Sequence, residues 1–279
     1  MHEAVQVRGG YEVLAVRYGT RTATKAETYL NHHVYGEPDE SFAMDYFFWL
    51  VRGPGRTVLV DCGFGAEAGR RRGRTTLVDP VAALSALGVE PDAVDQVVVT
   101  HAHYDHIGNL HRFPRAEVVL ARREYEFWTG PYAHRIQFAH STEADELAHL
   151  AALRAQGRLR LVEDALDLAP GIELVVVGGH TPGQLVVQVA AGPSTVVLAA
   201  DALHFYEELE RDRPFFVVSD LVEMYRGFDL LREMTEDAGR LLVAGHDAEV
   251  GTRFRARLPG LPADLADLVV DLSGRGEAS

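Results

Sequence analysis

Short apolar runs recur along the whole chain, β-branched or aromatic and bounded by Gly, Pro or Asp, and they predict strands. The first are YEVLAVRY (11–18), DYFFWLVR (45–52), RTVLVD (56–61), QVVVT (96–100) and AEVVLA (116–121). Later come IELVVVG (172–178), QLVVQVA (184–190), STVVLAAD (194–201) and RLLVAG (240–245). Many are apolar at every position, as expected of strands buried on both faces. Helical spacing fills the gaps. DPVAALSALG (79–88) has an Asp N-cap, Pro at the first helical position and a closing Gly. STEADELAHLAALRAQG (141–157) opens with a capping-box pattern, Thr142 to Asp145, and closes on Gly157. LVEMYRGFDLLREMTEDAG (221–239) keeps a helical period despite Gly227.

Strands and helices mix throughout, which predicts an α/β fold: two helix-covered sheets or one large mixed sheet. No Pro/Gly/Ser linker interrupts the pattern, so residues 1–279 read as a single domain. Two stretches lack periodicity, 19–44 and 129–140. Each reads as a lid or binding loop. The end, 273–279, reads as a flexible tail. TVLVD (57–61) and TVVLAAD (195–201) echo each other as apolar strands ending in Asp, which fits two similar halves.

Composition narrows the function classes. The chain has 279 residues, 47 % hydrophobic and 24 % charged, ordinary for a globular protein. Its net charge of −14 disfavours a polyanionic partner, so no nucleic acid is expected. The local basic run GRRRGR (69–74) reads as a solvated loop. One cysteine, Cys62, excludes an intramolecular disulfide and a Cys-only zinc site. No signal-peptide pattern opens the sequence, and no apolar run approaches the roughly 18 residues of a membrane span. A cytoplasmic protein with a small-molecule substrate and no membrane insertion is the expectation; a homodimer stays open.

The chemistry concentrates in THAHYDHIGNL (100–110). His101, His103, Asp105 and His106 occupy six positions, directly after a strand and at the start of a helix. Strand ends are where α/β folds gather reactive side chains. Three further candidates share that placement: His180 after IELVVVGG, Asp201 after STVVLAA, and His246 after RLLVAG. A single strand-end His or Asp is ordinary turn chemistry; three together with the cluster predict one shared rim holding metal.

The order His-X-His-X-Asp-His, then His180 in GGHTPGQ, Asp201, and His246 in AGH, resembles the metallo-β-lactamase-fold superfamily over about residues 45–250. VDCGFG (60–65) resembles the Asp-bearing strand end that precedes the cluster in that family. VVVTHAHYDHIGNLHRFPRAEVVLARREYEFW and GIELVVVGGHTPGQLVVQV make the chain most similar to the N-acyl-homoserine lactonase branch. The resemblance implies an αββα sandwich of two mixed sheets flanked by helices. It also implies one metal on His101, His103 and His180, a second on Asp105, His106 and His246, and Asp201 bridging both. Asp61 then orients a ligand rather than being one.

The implied reaction is lactone opening, an N-acyl-homoserine lactone among the candidates, by a metal-bridging hydroxide with Asp105 relaying the proton. Other esters, a pyridoxolactone-like ring, or a glyoxalase II-like thioester are the alternatives. Imidazole and carboxylate ligands suit two Zn2+, while Mn, Fe or Co also fit. The sequence departs from the branch at one place. Its substrate-contacting tyrosine, three residues beyond the bridging Asp, is here His204, with Tyr206 two places on. His204 or Tyr206 is therefore expected to donate to the oxyanion. Phe47, Trp49, Phe64, Phe205, Phe215 and Phe216 are candidates for an apolar wall and read mainly as core.

Overall fold

A computed structural model describes residues 10–53, 55–254, 258 and 260–274. Its larger sheet is built from β1 (Glu12–Thr24), β2 (Ser41–Gly53), β3 (Arg56–Val60), β4 (Thr75–Thr76), β5 (Gln96–Val98), β6 (Glu117–Ala121), β7 (Leu159–Val162) and, near the C-terminus, a strand over Val269–Asp271. The smaller sheet holds β8 (Ala165–Ala169), β9 (Ile172–Val176), β10 (Leu185–Ala191), β11 (Ser194–Ala200) and β12 (Arg240–Ala244). Numbering Val269–Asp271 as β13, the larger sheet runs β13-β1-β2-β3-β5-β6-β7 with β4 beside β1, and the smaller runs β12-β11-β10-β9-β8. Both are mixed. β3, β5, β6 and β7 are parallel to one another while β1, β2 and β3 are antiparallel. β12 joins β11 in parallel beside antiparallel neighbours.

Alternation along the strands sorts the faces. Leu14, Val16, Tyr18, Phe48, Leu50 and Leu59 enter one core with helix residues Leu84, Leu150 and Leu153. Their neighbours Val13, Ala15, Phe47, Trp49, Val58 and Val60 enter the other. That second core also contains Leu174, Leu185, Val187 and Val196 of the smaller sheet, and Phe228 and Leu231 of the helix Leu221–Met234. The layers are thus helix, sheet, sheet, helix, the αββα sandwich that the resemblance implied. Burying a side chain such as Phe228 stabilises by about 1.5–3 kcal/mol, so these two cores hold the rim on which the site is built.

Several local expectations need correction. Residues 19–24 and 41–44 are not lid but strand, in β1 and β2. Their Thr- and Arg-rich sequence lacks the apolar signature because much of it is not fully buried. Only 25–40 forms a connection, with a short helix Lys25–Thr28 and a 3-10 turn His32–Tyr35. The 129–140 stretch likewise contains the short helix Ile136–Ala139. Asp79 caps the helix Pro80–Ala86 as expected, accepting from the Ala82 N–H. The capping box at Thr142 does not form: the helix Ala144–Ala155 starts after Glu143 without a side-chain cap, and the Thr142 hydroxyl donates backward to the Ala139 carbonyl. Of the expected tail, Ser273 is buried and bonded to Asp271, while 275–279 lie outside the described residues, as do residues 1–9. Among the described residues no helix is long and apolar enough to cross a membrane.

Candidate metal centre

The ends of strands from both sheets converge on one rim. His101 lies just beyond β5, and His103 precedes the short helix Tyr104–Ile107 that carries Asp105 and His106. His180 follows β9, Asp201 follows β11 and His246 follows β12. Gly245 permits this convergence. A Cβ there would sit 2.5 Å from the Ala200 carbonyl oxygen and 3.1 Å from Asp201 Oδ1. Gly179, at φ +87°, packs so closely on the helix Leu221–Met234 that a Cβ would fall 2.6 Å from Met224 Cα. The sequence echo also has a structural counterpart. Asp61 and Ala200, at φ 60° and 45°, turn the chain at the ends of β3 and β11 in the left-handed region that non-glycine residues rarely adopt.

Candidate ligand atoms of His101, His103 and His180 lie within 4.8 Å of one another, as do those of Asp105, His106 and His246. Asp201 joins the two groups. Its Oδ2 is 3.7 Å from His101 Nε2 and 3.4 Å from His180 Nε2; its Oδ1 is 3.3 Å from His106 Nε2 and 3.2 Å from His246 Nε2. All seven side chains are buried. Nε2 of His101, His106 and His246 and Oδ1 of Asp201 nevertheless have no hydrogen-bond partner. A buried polar atom left unsatisfied costs about 1–3 kcal/mol, so several aimed at one point fit divalent cations.

The outward nitrogens are held. Nδ1 of His106 is 2.7 Å from Asp61 Oδ2, Nδ1 of His180 is 2.8 Å from the Val217 carbonyl, and Nδ1 of His246 is 2.8 Å from the Asp45 carbonyl. Donation from Nδ1 leaves the Nε2 lone pair facing the centre. Burial, reinforced by neighbouring imidazoles, holds His101 and His103 well below the usual histidine range and His180 down to about 3. These three are therefore neutral and need lose no proton to ligate. Burial also disfavours charge on His106, but Asp201, Asp61 and Asp105 outweigh it and raise its pKa. For Asp201 burial opposes ionisation, yet His246, His204, His106 and His101 keep it ionised.

A cavity of about 450 Å³ opens over the cluster, with His103, Asp105, His180, Asp201 and His246 at its base. Tyr46, Tyr104 and Phe215 also line it. A second cavity of about 290 Å³ shares His103, His140 and His180 and is lined by Phe127, Trp128 and Phe138. Of the candidate apolar wall, Phe215 and Phe216 reach a cavity, while Phe47, Trp49, Phe64 and Phe205 are core. His140 lines both cavities; His32 is buried in the 25–40 connection.

Neither residue expected at the oxyanion lines the larger cavity. Tyr206 is separated from the cluster: its hydroxyl donates to the Leu242 carbonyl at 3.1 Å, and its ring is covered by Arg253. That corrects its expected catalytic role. His204 does adjoin the cluster, with Nε2 3.0 Å from Asp201 Oδ2, but it is fully buried. Its ring stacks on Phe215 at 3.7 Å, and Nδ1 is 3.3 Å from Glu208 Oε1. It therefore presents no edge to the cavity, which does not include it.

Two buried glutamates carry no signal in the sequence. Glu124 accepts from the backbone N–H groups of Ala102 and Gly183 and from Trp128 Nε1, tying the His101–His103 turn to the one after His180. Glu208 accepts from the N–H groups of His204, Phe205 and Phe215. Each lies at helical spacing among polar neighbours, so the sequence marks neither as buried. The basic run at 69–74 is also not a free loop: it contributes Arg72 and Arg74 to the wall of the larger cavity.

This donor set, on the rim of this sandwich, defines the class. The chain belongs to the metallo-beta-lactamase superfamily, whose profile matches residues 45–246. It is 33% identical over 186 residues to the N-acyl homoserine lactonase AttM of Azorhizobium caulinodans, covering 64% of this chain and 68% of that protein. It is 26% identical over 167 residues to the N-acyl homoserine lactonase AiiA of Bacillus thuringiensis subsp. kurstaki, covering 60% of this chain and 61% of that one. A solved N-acyl homoserine lactone hydrolase, with the product N-hexanoyl-L-homoserine at its catalytic metal centre, shares the fold. Its TM-score is 0.72 at 20% identity, over 88% of this chain and 96% of the other.

Proposed function

We propose that this protein is a dinuclear-metal hydrolase that opens lactone rings, N-acyl homoserine lactones among them. The observation that carries the reading is the set of buried, unpartnered ligand atoms converging beneath an open cavity. The lactonases named above supply the substrate class. His101, His103 and His180 hold one ion, Asp105, His106 and His246 the other, and Asp201 reaches both. Zinc suits these nitrogen and oxygen donors, and manganese, iron or cobalt would be accepted by the same set.

When bound, a pair of such ions lowers the pKa of a coordinated water toward neutrality and polarises the substrate carbonyl. The chain's own residues do the rest. Asp105, at the base of the cavity, accepts the proton released by the attacking water and returns it to the ring oxygen as the acyl C–O bond breaks. Asp201 fixes the spacing of the two ligand groups. His204, pressed between Asp201, Glu208 and Phe215, positions the Asp201 carboxylate and does not touch substrate.

The purified, metal-loaded protein should be assayed by pH-stat against homoserine lactones, acyl thioesters and phosphodiesters. Ring opening of the lactones, faster than turnover of the other classes, is expected. Hydrolysis of thioesters or phosphodiesters with lactones untouched would refute the reading.

A further inference from the structure

Arg21 and Arg74 line the wall of the larger cavity, where Arg74 also feels the charge of Asp105. Arg21 Nε contacts Met44 Sδ at 3.3 Å. Arg74 Nε donates to the Tyr104 hydroxyl at 2.9 Å and Nη1 to the Arg72 carbonyl at 2.8 Å. Neither forms an ion pair among the described residues. Arg72 differs, being committed to Glu143 and to the Thr142 carbonyl.

The sheet sets the two side by side. β1 and β4 pair antiparallel with Gly19 opposite Thr76 and Thr20 opposite Thr75. Arg21 follows Thr20 and Arg74 precedes Thr75, so the two flank the paired end of β4. Two like charges on one cavity wall repel, and an anion held between them relieves that repulsion. The Arg74 guanidinium lies 5.9 Å from the centre of the Tyr46 ring, and Arg21, Arg74 and Tyr46 line the same cavity. Glu27 also lines the cavity, but its carboxylate accepts from the Thr24 N–H and closes the capping box of the helix Lys25–Thr28.

We propose that Arg21 and Arg74 form an anion-binding subsite, and that the preferred substrate is a lactone bearing a carboxylate remote from the ring. The substrate half of this statement rests on the lactone-opening reading above. A guanidinium fork matches a carboxylate in plane, and two forks can grip one from both sides. In a chain of net charge −14, an anionic substrate meets a repulsive field until it reaches the cavity. The arginine pair reverses that sign where binding occurs.

The test has two arms. In the first, N-glutaryl-homoserine lactone and its terminal amide are compared as substrates of the metal-loaded protein. The acid should show a KM lower by about tenfold or more, the scale of a charged hydrogen bond. Arg21→Gln and Arg74→Gln should each shrink that ratio, and Arg74→Lys, which keeps the charge without the fork, should shrink it less. Equal KM values for acid and amide would overturn the subsite while leaving lactone opening intact. The second arm needs no turnover: calorimetry compares binding of glutarate and butyrate. Wild type should favour glutarate, and Arg21→Gln, which removes the bond to Met44, should abolish the preference with the melting temperature preserved. Preference unchanged in both glutamine variants would overturn the subsite. Arginine-dependent glutarate binding without opening of either lactone would keep the subsite and refute the lactone reading.

Discussion

Asp61 Oδ2 lies 2.7 Å from Nδ1 of His106, and the same carboxylate accepts the Thr100 N–H at 2.8 Å and the Thr100 hydroxyl at 2.7 Å. One buried side chain thus fixes both the turn that leads into His101 and the tautomer of His106. It does so from φ 60°, a backbone conformation that asparagine also tolerates. Asp61→Asn should keep the backbone and remove the charge. Its single acceptor oxygen cannot serve three donors, so its amide must face His106 or Thr100. Zinc affinity is expected to fall about 10–100-fold, measured by competition with a chromogenic chelator. Unchanged affinity would mean that the Asp61–His106 contact does not tune the site.

His204 touches Asp201 but not the cavity. In His204→Gln the metal content of the purified protein should drop, and excess zinc should restore much of kcat. An oxyanion donor would behave oppositely. Then metal content would stay full while kcat fell on the order of a hundredfold. Elemental analysis paired with kinetics at saturating zinc separates the two.

Tyr206→Phe should leave kcat and KM as they are. Its hydroxyl bonds the Leu242 carbonyl and adjoins the Ala244 N–H, so the loss should appear as about 1 kcal/mol of stability in a urea titration. A collapse of kcat with stability unchanged would put the hydroxyl back in the reaction.

The layout of this site is readable in the sequence because its candidate ligands follow buried strands. An apolar run such as IELVVV or STVVLAA declares itself by composition, and the polar residue at its end then stands out. What was hidden depends on pairing between distant segments. The polar alternation TRTAT concealed the second half of β1, and the two-residue β4 is too short to show any pattern. Their pairing turns the basic run at 69–74 from a solvated loop into cavity wall. The strands Leu159–Val162 and Ala165–Ala169 are hidden because Arg160 and Asp167 break their apolar runs, which hold few β-branched residues. The role expected of Tyr206 failed on direction rather than identity. The helix Tyr206–Arg211 begins there, and the Tyr206 hydroxyl reaches the Leu242 carbonyl of β12 rather than the cavity.

Glu146 gives the pH dependence. Burial, then Glu143 and Asp105, push its carboxyl up to about 8, and its Oε2 is buried without a partner. A folded-state pKa above the unfolded value means that this group favours folding fully only below the ordinary carboxylate range. Its contribution is lost as pH rises toward and through 8. Glu146→Gln should therefore raise the melting temperature relative to wild type by little near pH 5 and progressively more up to pH 8, with no further gain at pH 9. A difference independent of pH would show that Glu146 ionises as freely in the fold as in the unfolded chain.

The most direct test follows the initial rate of homoserine-lactone opening while metal-free protein is titrated with zinc. The rate is expected to climb from near zero and level off at about two equivalents per chain, one for each group of ligands that Asp201 joins. A full rate before any zinc is added, or no turnover with two equivalents bound, would contradict a dinuclear lactonase.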